Sequence, residues 1–154
     1  MKVLVAIEDD QFGNKVVDFI LQNKWAPNSK FKVLHVIEPF ELSAGLDITY
    51  MPFLTETMDK ARIGAKSLVE NLAIKLKNKL DPCPVEAKVI EGYAKETLLE
   101  EAEKWDADLI CVGTHGRKGV SKFLIGSVSN AIVNHAPCAV LVVKSDIKKK
   151  EAEA

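Results

Sequence analysis

The chain predicts an α/β fold: a doubly wound, five-stranded parallel sheet with helices on both faces. Five short apolar runs rich in β-branched residues punctuate it, Val3–Ile7, Lys32–Ile37, Val85–Ile90, Leu109–Val112 and Ala139–Val143. The first, fourth and fifth are apolar almost without a break, as in strands covered on both faces. The segments between runs are all long enough for the crossovers that parallel pairing demands, and several repeat their apolar residues at helical spacing. Strands alternating with helices give a wound α/β sheet with right-handed connections.

After the first run come Glu8, Asp9 and Asp10, and one of the two aspartates is placed to cap the first helix. Glu38–Leu54, with Pro39, Gly45 and Pro52, has no clear periodicity and reads either as a lid or as a long surface loop. Ala61, Ala65, Leu68, Leu72 and Leu76 then form one helical stripe, with Lys75, Lys77 and Lys79 where a helix C-terminus favours positive charge. Asp81-Pro-Cys-Pro84 is a turn whose prolines end that helix. Leu98, Ala102 and Trp105 mark the next helix. There is no internal repeat and no domain boundary: residues 1–145 form one domain, and 146–154 are a charged tail expected to be disordered.

A chain of 154 residues can bury a core without metal or disulfide staples. Its 21 basic and 22 acidic side chains leave a net charge of −1, so no global field favours nucleic acid or anionic lipid. Cys83, Cys111 and Cys138 make no CxxC pair, which argues against a zinc knuckle or disulfide framework. The longest apolar run near the end, Ala136 to Val143, is too short to span a bilayer. The amino terminus enters a strand at once, without the succession of a signal peptide, and the protein is expected to be cytoplasmic.

The chemistry concentrates between the fourth and fifth runs. Gly113-Thr-His-Gly116 follows the strand Leu109–Val112, and Gly126-Ser127 opens a stretch, Val128-Ser-Asn-Ala-Ile-Val133, with helical periodicity. Glycines between a strand and a helix let main-chain N–H groups approach an anion, and the helix dipole points at it. Ser127 and Ser129 add hydroxyls that either cap the helix or meet phosphate oxygens. Taken singly, such glycines and serines are turn and cap residues.

The spacing G-x2-G-x9-G-S after this strand resembles the ATP-binding branch of the universal stress protein family. Lys2-Val-Leu-Val-Ala-Ile7, Val33-Leu-His-Val36, Gly92, Ala107-Asp-Leu109 and Ala136-Pro-Cys-Ala-Val-Leu-Val-Val-Lys144 resemble further parts of it, so the likeness runs to about Lys144. The resemblance implies strand order 3-2-1-4-5, with a crevice where the order reverses between the first and fourth strands, and ligands bind at such points. It also implies ATP as ligand, with Ala6 and Ile7 as apolar wall, Glu8 near the ribose or base, and the Val36 main chain at the adenine edge. Val112 and Gly113 would begin the phosphate loop; Gly116, Gly126, Ser127, Val128 and Ser129 would hold the phosphates.

This chain departs from the family after its first strand, where Glu8 stands for the usual aspartate and Asp9 and Asp10 replace small residues. Three carboxylates beside a triphosphate call for a bridging Mg²⁺, or point elsewhere. His115 has no partner histidine or orienting acid nearby in sequence and reads as structural. Arg117 either neutralises phosphate or is solvated; Lys118 and Lys122 read as solvated, His35 as a partly buried strand histidine, and His135 as a residue at a helix end.

The resulting expectation is an ATP-binding regulatory stress-response protein acting as a nucleotide-dependent switch, with at most slow hydrolysis. It would act on a downstream protein that the sequence does not identify. The alternative is a dimeric interaction scaffold that binds no nucleotide. In either case a homodimer is expected through Ala139–Val143, an apolar strand at a sheet edge. An ATP pyrophosphatase or nucleotidyltransferase would need a Ser-Gly-Gly-x-Asp-Ser-like loop after the first strand, and Glu8-Asp-Asp-Gln11 is unlike it.

Overall fold

The computed structural model describes residues 1–40, 48–114 and 125–144. Its elements in chain order are β1 (Lys2–Ile7), α1 (Asp10–Leu21), β2 (Lys30–Ile37), α2 (Met51–Lys79), β3 (Val85–Glu91), α3 (Ala94–Lys104), β4 (Leu109–Gly113), α4 (Ser127–His135) and β5 (Ala139–Val143), with one 3-10 turn at Ile48–Tyr50. All strand pairs are parallel and the sheet order is β3-β2-β1-β4-β5, as the resemblance implied.

Alternation along β1 explains how an unbroken apolar strand serves two cores. Val3, Val5 and Ile7 face one cluster with Val16, Val17 and Ile20 of α1 and Val69, Leu72, Ala73 and Leu76 of α2. Leu4 faces the other, with Leu98 and Ala102 of α3 and Ile132 of α4. Each such fully buried aliphatic side chain contributes roughly 1.5–3 kcal/mol. The two outer strands are less covered: β3 and β5 are mostly half-buried or exposed.

The α1 helix is capped by Asp9, whose Oδ1 accepts from Phe12 N at 2.8 Å. Gly13 in its second turn sits so close to the sheet that a Cβ would lie 2.8 Å from both Ile7 Cγ2 and Leu72 Cδ1. Lys75 Nζ reaches Asn14 Oδ1 at 2.8 Å and Asp18 Oδ1 at 2.7 Å, tying α2 to α1.

The α2 helix differs from expectation in two respects. It begins at Met51, inside the stretch read as aperiodic, with Pro52 in its first turn, where a missing N–H costs nothing. Residues 41–47 of that stretch lie outside the described residues. Its buried stripe is Ala65, Val69, Leu72, Ala73 and Leu76, whereas Ala61 is exposed. The first turns of this 29-residue helix, about 43 Å long, reach beyond the core.

A buried ionic cluster, absent from the sequence reading, joins the sheet to α3. Lys32 Nζ in β2 and Lys88 Nζ in β3 each approach Glu101 Oε1 at 2.8 Å, and the Lys32 ammonium lies 4.5 Å from the centre of the Trp105 ring. Burial alone would push the Glu101 carboxyl up. Hydrogen bonds from Lys32 and Lys88 outweigh it and hold the group below the ordinary carboxylate range.

Candidate functional site

The strand order reverses at β1, whose neighbours are β2 on one side and β4 on the other. The carboxyl ends of these strands and the start of α4 form the candidate site. Pairing of Val5 with Cys111 brings the end of β1 alongside the end of β4, and pairing of Ile7 with His35 brings it alongside β2. His35 Nδ1 lies 2.9 Å from Ile7 O; a carbonyl only accepts, so the nitrogen donates. His35 is half-buried with this partner, as expected for a satisfied strand histidine.

The end of β4 is fastened to α4 by two hydrogen bonds. Gly126 N donates to Thr114 O at 2.7 Å, and Ser129 Oγ donates to Gly113 O at 2.5 Å. Thr114, which sequence reasoning passed over, is also held to β5 through its N–H to Val143 O at 3.0 Å. The chain therefore leaves and re-enters this corner within one hydrogen bond. Gly116, His115, Arg117, Lys118 and Lys122 lie outside the described residues.

Gly126 is the N-cap of α4 and offers no side chain to its first-turn amides. Neither serine caps the helix: Ser127 is its exposed first residue, and Ser129 is buried with its hydroxyl turned to β4. A helix start of this kind keeps its N–H groups and positive dipole end for other acceptors. The Gly126 backbone, at φ −56° and ψ 157°, is open to any L-residue. Backbone strain therefore gives no reason for glycine there. Gly113 is equally unforced, because a Cβ would meet Phe12 Cβ at 3.8 Å and Val16 Cγ2 at 3.9 Å, ordinary contacts.

Ala6 and Ile7, expected together as apolar wall, do not share a face. These neighbours point to opposite faces, and the Ile7 side chain is buried against α1 and α2. Ala6, Val36 and Val128 instead fringe one cluster on the α3 and α4 face, each half-buried. Val112 is buried within the same cluster. The Ile7 side chain therefore does not share the face of Ala6, whereas Val128 does.

Of the three acids after β1, Asp9 is half-buried and committed to the α1 cap, while Asp10 is exposed and accepts from Asn14 Nδ2 at 3.1 Å. Glu8 is exposed at the strand end. Glu38, beyond β2, accepts from Ala94 N at 3.2 Å and serves the start of α3. Among the described residues no group of three or more candidate ligands is gathered for a metal ion. Cys83, Cys111 and Cys138 are free, and burial pushes the Cys111 thiol up to about 12, so it is inert near neutral pH. No described helix is long and apolar enough to cross a membrane.

The fold and this corner define a doubly wound α/β domain with a strand–loop–helix site at its topological switch point. The model of the universal stress protein family matches residues 1–144, and the chain belongs to that family. Universal stress protein A homolog 2 of Coxiella burnetii is 31% identical over 151 residues, covering 93% of this chain and 94% of the relative. A universal stress protein family member from Arabidopsis thaliana, solved with AMP bound, superposes with a TM-score of 0.68 at 19% identity, covering 99% of this chain and 97% of that one. The universal stress protein of Archaeoglobus fulgidus in complex with dAMP gives 0.66 at 16% identity, covering 94% and 98%.

Proposed function

We propose that this chain is a nucleotide-binding regulatory protein of the stress response, a switch whose state depends on ATP in the crevice between β1, β2, β4 and α4. The observation that carries the proposal is the start of α4: an uncapped helix N-terminus pinned to the end of β4 at the switch point. The phosphates take the main-chain donors of Ser127, Val128 and Ser129, with the Ser127 hydroxyl beside them, and the family pattern adds Gly113 and Gly116 to the same loop. The base rests on Ala6, Val36 and Val128, reading the main chain at Ile7 and Val36, and Glu8 meets the ribose. Relatives solved with AMP and dAMP support an adenine base.

The acids after β1 would not hold a cation alone. Mg²⁺ at this site is shared between phosphate oxygens and Glu8 or the remaining oxygen of Asp9, and supplies charge neutralisation. Chelation should then weaken ATP binding markedly, and equal affinity in EDTA and in magnesium would remove that role. Hydrolysis is slow, well below the ~10 s⁻¹ median of dedicated enzymes.

The functional unit is a cytoplasmic homodimer joined through Ala139–Val143, with no nucleic-acid partner. The β5 edge supports this, being short, apolar and incompletely covered. Leu141 packs inward on the α1 and α2 core, so a charged residue there would damage the fold rather than the interface alone. The Val143 carbonyl bonds to β4, so by alternation the Val142 N–H points away from it. Val142→Pro should therefore remove the β5 contact and lower the sedimenting mass by that association step while leaving the β4 ladder intact; an unchanged mass would exclude this edge.

Denaturing protein purified without added nucleotide, and identifying what is released, tests the ligand. Near-stoichiometric adenine nucleotide is expected. Release of none, together with no thermal stabilisation by added ATP, would favour the nucleotide-independent scaffold.

A further inference from the structure

We propose that β3 is a second self-complementary edge, through which two copies of this chain pair antiparallel about Ala87. The strand lies at the end of the sheet opposite β5, and no described strand pairs with its outer side. Phe31 N bonds to Pro84 O, and Gly92 N bonds to Ile37 O. With the Phe31–Val85 register, these fix the parity of the whole ladder: Glu86, Lys88 and Ile90 turn their main-chain groups to β2. Val85, Ala87, Val89 and Glu91 turn theirs outward.

That parity admits few antiparallel registers, and charge selects among them. Centring on Glu86 sets Glu86 against its own copy, and centring on Lys88 sets Lys88 against its own; both are repelled. Centring on Ala87 opposes Glu86 to Lys88 and Lys88 to Glu86. These fall at non-hydrogen-bonded positions, where side chains come closest. The same register opposes Val85 to Val89 and Ala87 to Ala87 at the hydrogen-bonded positions. Its apolar row lies on the α2 face, beside a groove lined by Arg62, Lys66, Val69, Glu70, Ala87 and Val89.

Exposure suits this use. Ala87 and Glu86 are exposed, and Val85, Lys88 and Val89 are half-buried. Within its own protomer Lys88 keeps Glu101 as partner and Glu86 lies 3.8 Å from Lys32, and the facing Glu86–Lys88 pair adds a second opposite charge to each. The charges thus admit one register and reject its neighbours. The contact is isologous, with a twofold axis through Ala87, and joins the dimers formed through β5 end to end.

Disulfide trapping in a Cys138→Ser background tests the register. Ala87→Cys places two sulfurs at an opposed pair about 5.5 Å apart between Cα atoms, within disulfide reach. Val85→Cys or Val89→Cys alone leaves the copies about 14 Å apart along the strand. Mild oxidation should convert most of the Ala87→Cys protein to covalent dimer and little of the other two. No dimer with Ala87→Cys, or equal dimer with all three, would overturn the proposal. Ala87→Pro removes only an outward N–H, so it should reduce the sedimenting mass by one association step without changing the circular dichroism. Retained mass in that variant would also overturn the β3 contact. Trapping at Ala87 should persist in Val142→Pro, which separates this edge from β5.

Discussion

Ser129 Oγ donates to Gly113 O at 2.5 Å, a bond between the start of α4 and the end of β4. The hydroxyl hydrogen is thereby committed to the protein, which leaves Ser129 only its main chain for the proposed phosphate, while the exposed Ser127 can donate through its side chain.

The two serines should therefore separate on mutation. Ser127→Ala is expected to weaken ATP binding by roughly 1–3 kcal/mol, the range for a hydrogen bond to a charged group and its loss, with little change in melting temperature. Ser129→Ala should cost about 1–2 kcal/mol of stability, a fall of roughly 2–8 °C. Calorimetric titration and thermal denaturation of both variants check this; the reverse pattern would reassign the two hydroxyls.

Gly13 and Gly64 both sit in helices, where alanine is intrinsically better by about 1 kcal/mol. Gly64 has open space where a Cβ would go, so Gly64→Ala should stabilise by about 0.5–1 kcal/mol. At Gly13 the added atom meets Ile7 and Leu72 at 2.8 Å, and overpacking of about 1–3 kcal/mol outweighs the helix gain. Denaturant melts of the two variants should shift in opposite directions.

Glu101 links acid stability to the buried cluster. Its folded carboxyl titrates below the unfolded value of about 4.3, so the stabilisation is complete above that pH and is lost as pH falls through the folded value. Glu101→Gln leaves the buried Lys32 with only the more distant Glu86, at 3.8 Å, as counter-charge and should cost up to about 3–5 kcal/mol at neutral pH. Melts from pH 7 to pH 3 should show the gap between wild type and variant narrowing below about pH 4; a constant gap would show that the carboxyl does not report this cluster.

The sequence was most legible where physics is local. All five strands stand within about two residues of their expected bounds, because continuous β-branched runs between turn residues leave little choice. The start of α2 escaped because Met51 and Phe53 are exposed and Pro52 reads as a breaker until it is seen in a first turn. The role of Lys32 was not legible, since its partner Glu101 lies 69 residues away. At the site, the glycine and serine positions of α4 were readable from spacing. The facing of Ala6 and Ile7 to opposite cores, and the anchoring role of Thr114, required the sheet itself.

Gly126 gives the most direct test of nucleotide binding at this corner. Its φ of −56° and ψ of 157° accept a β-branched residue, so Gly126→Val should remain folded. The added branches would occupy the space through which phosphate oxygens approach the first amides of α4. Isothermal titration with Mg-ATP should show saturable binding to wild type and none to Gly126→Val, with matching circular dichroism for the two proteins. Equal affinity in the folded variant would contradict the account and leave the loop as a turn.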